Sequence, residues 1–296
     1  MVNSQPQNDT PPPTGLSIQA QPARSIGNAN LPGQLRAFCR EFVAFGFKEA
    51  QSCLFAGSFF LILFVSSHIP LFGLARYDFL FLAAILIQVV FILLKLESRE
   101  EMKVIFLFHL IGFILELFKT SPGIASWSYP EPGLLKIGTV PLYSGFMYSA
   151  VGSYINLAWK IFRLRYEQFP PIALLALLSL GIYLNFFTHH FAPDIRWWLI
   201  AGIFLLFRKT QVYFTVLQDT APRKMPLSLA FMLIGFFIWV AENISTYLGA
   251  WRYPDQLHQW AMVSPQKISC WFLLVIVSFN IVALLHRKHL QPEPPA

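Results

Sequence analysis

The stretch MPLSLAFMLIGFFIWVAEN, residues 225–243, decides the fold. It runs without charge until Glu242, and crossing the ~30 Å hydrocarbon layer of a bilayer takes about 20 mostly apolar residues. Working outward, seven more stretches of this kind are found, at 53–74, 77–94, 104–120, 139–159, 171–187, 195–207 and 268–285. The sixth is short by itself and reaches spanning length only by starting near Pro193 or continuing past Lys209. Composition agrees: 55% of the 296 residues are hydrophobic, 30 are Phe, and only 12% are charged, against about 25% charged in a soluble domain. These values exclude a soluble enzyme, a disordered chain and a collagen-like fibre. The expected fold is all-α, a polytopic integral membrane bundle of about eight transmembrane helices.

The flanks read differently. Residues 1–32 are polar and proline-rich, with no apolar core after a basic start, so a disordered tail is expected and not a signal peptide. At 33–50, Leu35, Phe38, Phe42 and Phe45 share one helical face, with Arg36, Arg40 and Glu41 off it. That pattern predicts an amphipathic helix along the membrane surface, or else an extension of the first span. Residues 290–296 form a short C-terminal tail. Cys39, Cys53 and Cys270 have no paired spacing and read as free thiols.

The net charge of +7 fits either a nucleic-acid partner or a membrane orientation. With the N-terminus placed in the cytoplasm, 16 of the 22 Lys and Arg residues fall on the inner side and 6 on the outer. The positive-inside rule expects that bias. Both termini are therefore expected in the cytoplasm, and no nucleic-acid partner is expected. The acidic residues divide 9 inside and 6 outside, so the whole surplus lies on the inner side.

The chain also repeats. Gly112-Phe-Ile-Leu-Glu116 leads to Trp127-Ser-Tyr129-Pro130-Glu131, and Gly235 with Glu242 leads to Trp251-Arg-Tyr253-Pro254-Asp255. Upstream, His68-Ile-Pro70 precedes Arg76, and His190-Phe-Ala-Pro193 precedes Arg196. The offsets are 122 for His and 124 for Tyr. Two parallel four-helix repeats are expected, at 51–165 and 166–289, related by an axis along the membrane normal.

Charges within a bilayer are costly and mark function. Glu116, Glu242 and Asn243 fall near the outer ends of their spans, as do His68, Arg76, His189, His190, Asp194 and Arg196. An outward-facing polar pocket is the expectation, with Glu116, Glu242, His190, Arg196 and Asn243 as catalytic candidates. Trp127, Tyr129, Trp251, Tyr253, His68, Arg76, His189 and Asp194 are the substrate-binding candidates. The aromatic residues also fit an interfacial belt, and the carboxylates also fit ion pairs inside the bundle. His189, His190 and Asp194 carry ligand chemistry, but adjacent histidines on a helix diverge, so no metal is expected. No nucleotide fingerprint or hydrolase elbow is present, and no cofactor is indicated.

Longer stretches carry a resemblance. Phe45-Gly-Phe-Lys-Glu-Ala-Gln-Ser-Cys-Leu-Phe, Ala75-Arg-Tyr-Asp-Phe-Leu-Phe-Leu, Val140-Pro-Leu-Tyr-Ser-Gly-Phe-Met-Tyr, Asn185-Phe-Phe-Thr-His-His-Phe-Ala-Pro-Asp-Ile-Arg-Trp and Gly249-Ala-Trp-Arg-Tyr-Pro closely resemble a bacterial membrane family catalogued as domain of unknown function 817. The likeness runs from about Phe42 to Ala283 and implies a multi-pass protein of the bacterial inner membrane. More distantly, Glu242, Gly249-Ala-Trp251-Arg-Tyr253 and Ser264-Pro265 resemble the repeat units of membrane carotenoid cyclases and hydratases. That likeness covers only the repeat cores. The paired acids that follow Pro in those enzymes are replaced here by Leu-Tyr-Ser after Pro141 and Gln-Lys after Pro265.

Three functions are compatible with these residues. The first is an enzyme acting on a lipid or isoprenoid at the outward-facing pocket, the second a small-solute transporter or channel, and the third an assembly protein. The expected partners are the lipid bilayer and a lipid or isoprenoid ligand. No protein partner is indicated.

Overall fold

The computed structural model describes residues 31–286, with side chains from Gly33 onward. The tail residues 1–30 and 290–296 lie outside them. Residues up to Arg40 form one unit and Glu41 onward another. The first contains the start of helix α1 (Leu31–Ser52), where Leu35 and Phe38 are exposed.

The second unit is built from helices α2 (Leu54–Ser66), α3 (Arg76–Leu93), α4 (Arg99–Lys119), α5 (Ser144–Ile161), α6 (Ile172–Thr188), α7 (Arg196–Leu206), α8 (Leu227–Tyr247) and α9 (Lys267–Leu285). Each falls on one of the eight apolar stretches. The fold is mostly helical, as expected, with two small sheets that hydrophobic patterning did not indicate. Strands β1 (Lys136–Ile137) and β2 (Val140–Pro141) form a hairpin, and β3 (Arg165–Glu167), β4 (Gln211–Phe214) and β5 (Arg223–Pro226) form a three-stranded antiparallel sheet.

α9 is the central helix, packed against α4, α5, α6, α7 and α8. The surface is inverted relative to a soluble protein. Leu61, Leu86, Leu93, Leu177, Leu205 and Phe237 are all exposed. Such an apolar exterior is natural in lipid and unstable in water. α3, α8 and α9 are each long and apolar enough to cross a membrane. The pair Gly33–Ser52 and Leu54–Ser66, bent by 71°, would make a fourth span. These helices are those of a helical membrane protein.

Two stretches are shorter than the sequence suggested. The first helix of the bundle ends at Ser66, not Leu74, because Pro70 has no N–H with which to continue it and Gly73 turns the chain at φ +89°. α7 stops after 11 residues, about 16 Å of helix. It does not continue past Lys209. Thr210 Oγ1 donates to the Gln168 carbonyl, Leu227 N–H donates to the Thr210 carbonyl, and residues 211–214 enter the sheet.

Local chemistry explains the ends that matter. Ser98 caps α4 in a capping box with Glu101. α8 ends in a Schellman turn: Ala250 N–H donates to the Ser245 carbonyl, Gly249 N–H donates to the Thr246 carbonyl, and Gly249 adopts φ +76°. Close helix packing rests on the glycines that open the two motif copies. A Cβ on Gly112 would lie 2.3 Å from the Tyr148 ring on α5, and one on Gly235 would lie 3.0 Å from the Phe272 backbone nitrogen on α9.

Gly112→Ala therefore overpacks the α4–α5 seam, at an expected cost of about 1–3 kcal/mol. Melting of the detergent-solubilised protein is the check. Gly57→Ala, which meets nothing within 4 Å, is the control and should melt like the parent.

Candidate functional site

Each motif copy builds a hydrogen-bonded unit around its Glu, with a Tyr of the Trp-x-Tyr segment and one aromatic donor from the next helix in common. Glu116 is 2% exposed and Glu242 is 3% exposed, so their oxygens need donors from the protein. Glu116 accepts from Trp127 Nε1 (2.7 Å), Tyr129 OH (2.7 Å) and, from α5, Tyr148 OH (2.8 Å). Glu242 accepts from Tyr253 OH (2.5 Å) and, from α9, Trp271 Nε1 (2.7 Å). The Trp-x-Tyr segments then pair with each other. Ser128 and Arg252 form an isolated antiparallel bridge, with N–H to carbonyl distances of 2.8 and 2.9 Å.

Beside these units lies a pocket of about 280 Å³. Its lining includes the polar side chains of Lys119, Arg196, Glu242, Lys267, Tyr148 and Asn185 and the apolar side chains of Leu115, Phe186, Leu273 and Leu274. Lys267 Nζ sits over the Tyr253 ring at 4.5 Å and the Trp127 ring at 5.5 Å. Arg196 Nε donates to Asp194 at 2.5 Å, and Asp194 also accepts from Asn185 Nδ2 at 3.1 Å.

The two histidines serve as neutral acceptors. Lys119 Nζ, which can only donate, lies 2.7 Å from His190 Nε2 and 3.4 Å from His189 Nε2. His189 Nδ1 lies 2.7 Å from the Asn185 carbonyl, which can only accept, so Nδ1 carries the proton. Loss of solvent, then the charge of Lys119, push the His190 pKa down to about 4. Among the described residues no group of three His, Cys, Asp or Glu side chains is placed to hold a metal ion.

Of the residues the sequence singled out, Trp127, His189, Arg196, Glu242 and Tyr253 line the pocket. Glu116, His190 and Asp194 stand one hydrogen bond behind its wall, through Trp127 and Tyr148, Lys119, and Arg196 respectively. The others are not in the lining. Tyr129 is buried against Glu116, and Trp251 packs in the core that holds Phe55 and Tyr77. His68 is exposed and bonded to the Phe64 carbonyl. Arg76 ties Glu131 (2.7 Å) to the Leu248 carbonyl (2.7 Å), closing the end of α8. Asn243 accepts from Val263 N–H and fixes the approach to α9.

Sequence reasoning missed Lys119 as a lining residue, and it missed Tyr148, Asn185, Lys267 and Trp271 altogether. A signal existed for Tyr148 and Trp271. Their separation matches that of Tyr129 and Tyr253 to within one residue, but Tyr and Trp are alike only as long donors and not as letters.

A family model described as "Protein of unknown function (DUF817)" matches residues 41–279. The chain belongs to this family. "Uncharacterized protein YoaT" of Bacillus subtilis (strain 168) is 49% identical over 256 residues, which is 86% of this chain and 95% of the relative. No solved structure matches. Every residue lining the pocket lies inside the family match.

A depressed His190 pKa has a definite sign. The unfolded chain takes up the proton first, so the stability held by neutral His190 is fully present above about pH 6.5 and is lost as the pH falls toward about 4. Melting temperatures recorded across that window should fall, and His190→Gln should flatten part of the slope.

Proposed function

We propose that the protein is a multi-pass membrane enzyme acting on a lipid or isoprenoid substrate at this pocket, with Glu242 as the acid–base group. The observation that carries the reading is the placement of Glu242, held by Tyr253 and Trp271, in a pocket lined by both polar and apolar side chains. A substrate with a polar end and a hydrocarbon body fits such a lining. Glu116 has a different part. It does not line the pocket; it accepts from Trp127 and Tyr148, which do, and from buried Tyr129, so it positions Trp127 and Tyr148.

The same reading takes the helices as eight spans in two parallel four-helix repeats, with both termini cytoplasmic and the pocket opening outward. The Ser128–Arg252 bridge supports it, since a two-fold axis makes equivalent residues each other's antiparallel partners. The enclosing membrane would be the bacterial inner membrane. Transport is the second reading, favoured by the fact that Lys119, Trp127 and Tyr148 of the first copy and Tyr253, Lys267 and Trp271 of the second share the pocket.

The test compares total-lipid mass spectra of a host lacking the gene with hosts restored by the parent chain or Glu242→Gln. The parent should shift one lipid or isoprenoid species, and the variant should leave it as in the deletion host. Identical spectra in the deleted and restored hosts would overturn the enzyme reading, and saturable uptake of a solute into vesicles would then favour transport.

A further inference from the structure

We infer that Lys119, Arg196 and Lys267 form a site for a phosphate-class dianion, the head of a phosphomonoester or diphosphate, within the pocket. The inference rests on the reading of this pocket as the substrate site and names the charge of what binds there.

Lys119 is 6% exposed, and its ammonium faces imidazole nitrogens that carry no negative charge. Lys267 faces two aromatic rings. Neither lysine is ion-paired with a carboxylate among the described residues. Glu242 shares the pocket, but its oxygens lie with Tyr253 and Trp271 and outside ion-pair distance of either lysine, and in the protonated form from which it acts as an acid it adds no counter-charge. A buried cation without counter-charge, such as Lys119, is costly, and an anion in the pocket offsets that cost.

The backbone adds to the same field. Lys267 is the first residue of α9, which has no acid in its first turn, whereas at the start of α7 the Asp194 carboxylate already accepts from the Arg196 N–H and Nε. A base at a helix N-terminus opposes the macrodipole, whose positive end stands there. At the start of α9 that opposition is relieved when an anion arrives.

Charge and size select the anion. Asp194 satisfies Arg196, which leaves two ammonium groups. A phosphomonoester carries about −1.5 to −2 at pH 7 and matches them, whereas a carboxylate leaves one uncompensated. The volume of about 280 Å³ is far above the ~30 Å³ share of one liquid water. A phosphate head against the cations leaves room for the start of a chain along Leu273 and Leu274.

The experiment is equilibrium binding to the full chain in nanodiscs, with three probes: inorganic phosphate, phosphatidic acid in the disc lipid, and a fatty acid of matched length. Saturable binding of a phosphate probe is expected, weakened at least tenfold by Lys119→Gln and by Lys267→Gln and retained by Lys267→Arg. Without phosphate, both Gln variants should melt at or above the parent temperature, as expected when an uncompensated cation is removed. Tighter binding of phosphatidic acid identifies a lipid head, and equal or tighter binding of inorganic phosphate identifies a free anion. Absence of binding by both phosphate probes, binding indifferent to both lysine variants, or preference for the fatty acid would overturn the inference. Binding is read without turnover. A silent Glu242→Gln lipid profile with intact phosphate binding removes the enzyme reading alone, and the converse removes the anion site alone.

Discussion

A carboxylate that is 2 or 3% exposed must be surrounded by donors, and that requirement organises the bundle from Glu116 to Trp271. Glu116 draws a Trp and a Tyr from the loop after its own helix and a Tyr from the next helix. Glu242 draws a Tyr and a Trp from the corresponding places. Each acid therefore fixes a helix end, a loop and a neighbouring helix at once. The aromatic donors are large and apolar apart from one N–H or O–H. They satisfy the acid while adding to the packed core.

The glycines complete this arrangement from the other side. Tyr148 reaches Glu116 because its ring lies flat against Gly112, one turn back along α4. Gly235 lets α8 approach the start of α9 closely enough for Trp271 to meet Glu242. The positions read as repeat markers are thus steric necessities of the same hydrogen bonds. A side chain there would separate helices that must touch.

Much of this was legible beforehand. Apolar run length located eight helices, and the acid with its Trp-x-Tyr partner was visible as a recurring spacing. Two kinds of information were not. The lengths of the first bundle helix and of α7 depend on where the chain leaves the helix, and Thr210 does so through bonds to Gln168 and Leu227 that are distant in sequence. Pocket membership depends on which side of a helix end a residue takes. Arg76 and Arg196 occupy matching places in the sequence, yet Arg76 is consumed by Glu131 and backbone carbonyls while Arg196 faces the pocket. Lys267, the base nearest the aromatic rings, belongs to no recurring motif and so gave no signal.

The bridge between Ser128 and Arg252 bears on biogenesis. A chain threading into the membrane from its N-terminus completes α2 to α5 long before Arg252 leaves the ribosome. Until then the backbone groups of Ser128 lack their partners, and Arg76 lacks the Leu248 carbonyl that later receives it. The early half must wait in a part-satisfied state, with unpaired backbone groups at Ser128 and one guanidinium hydrogen bond of Arg76 still unmade. A chain truncated before α8 would keep those groups unmet.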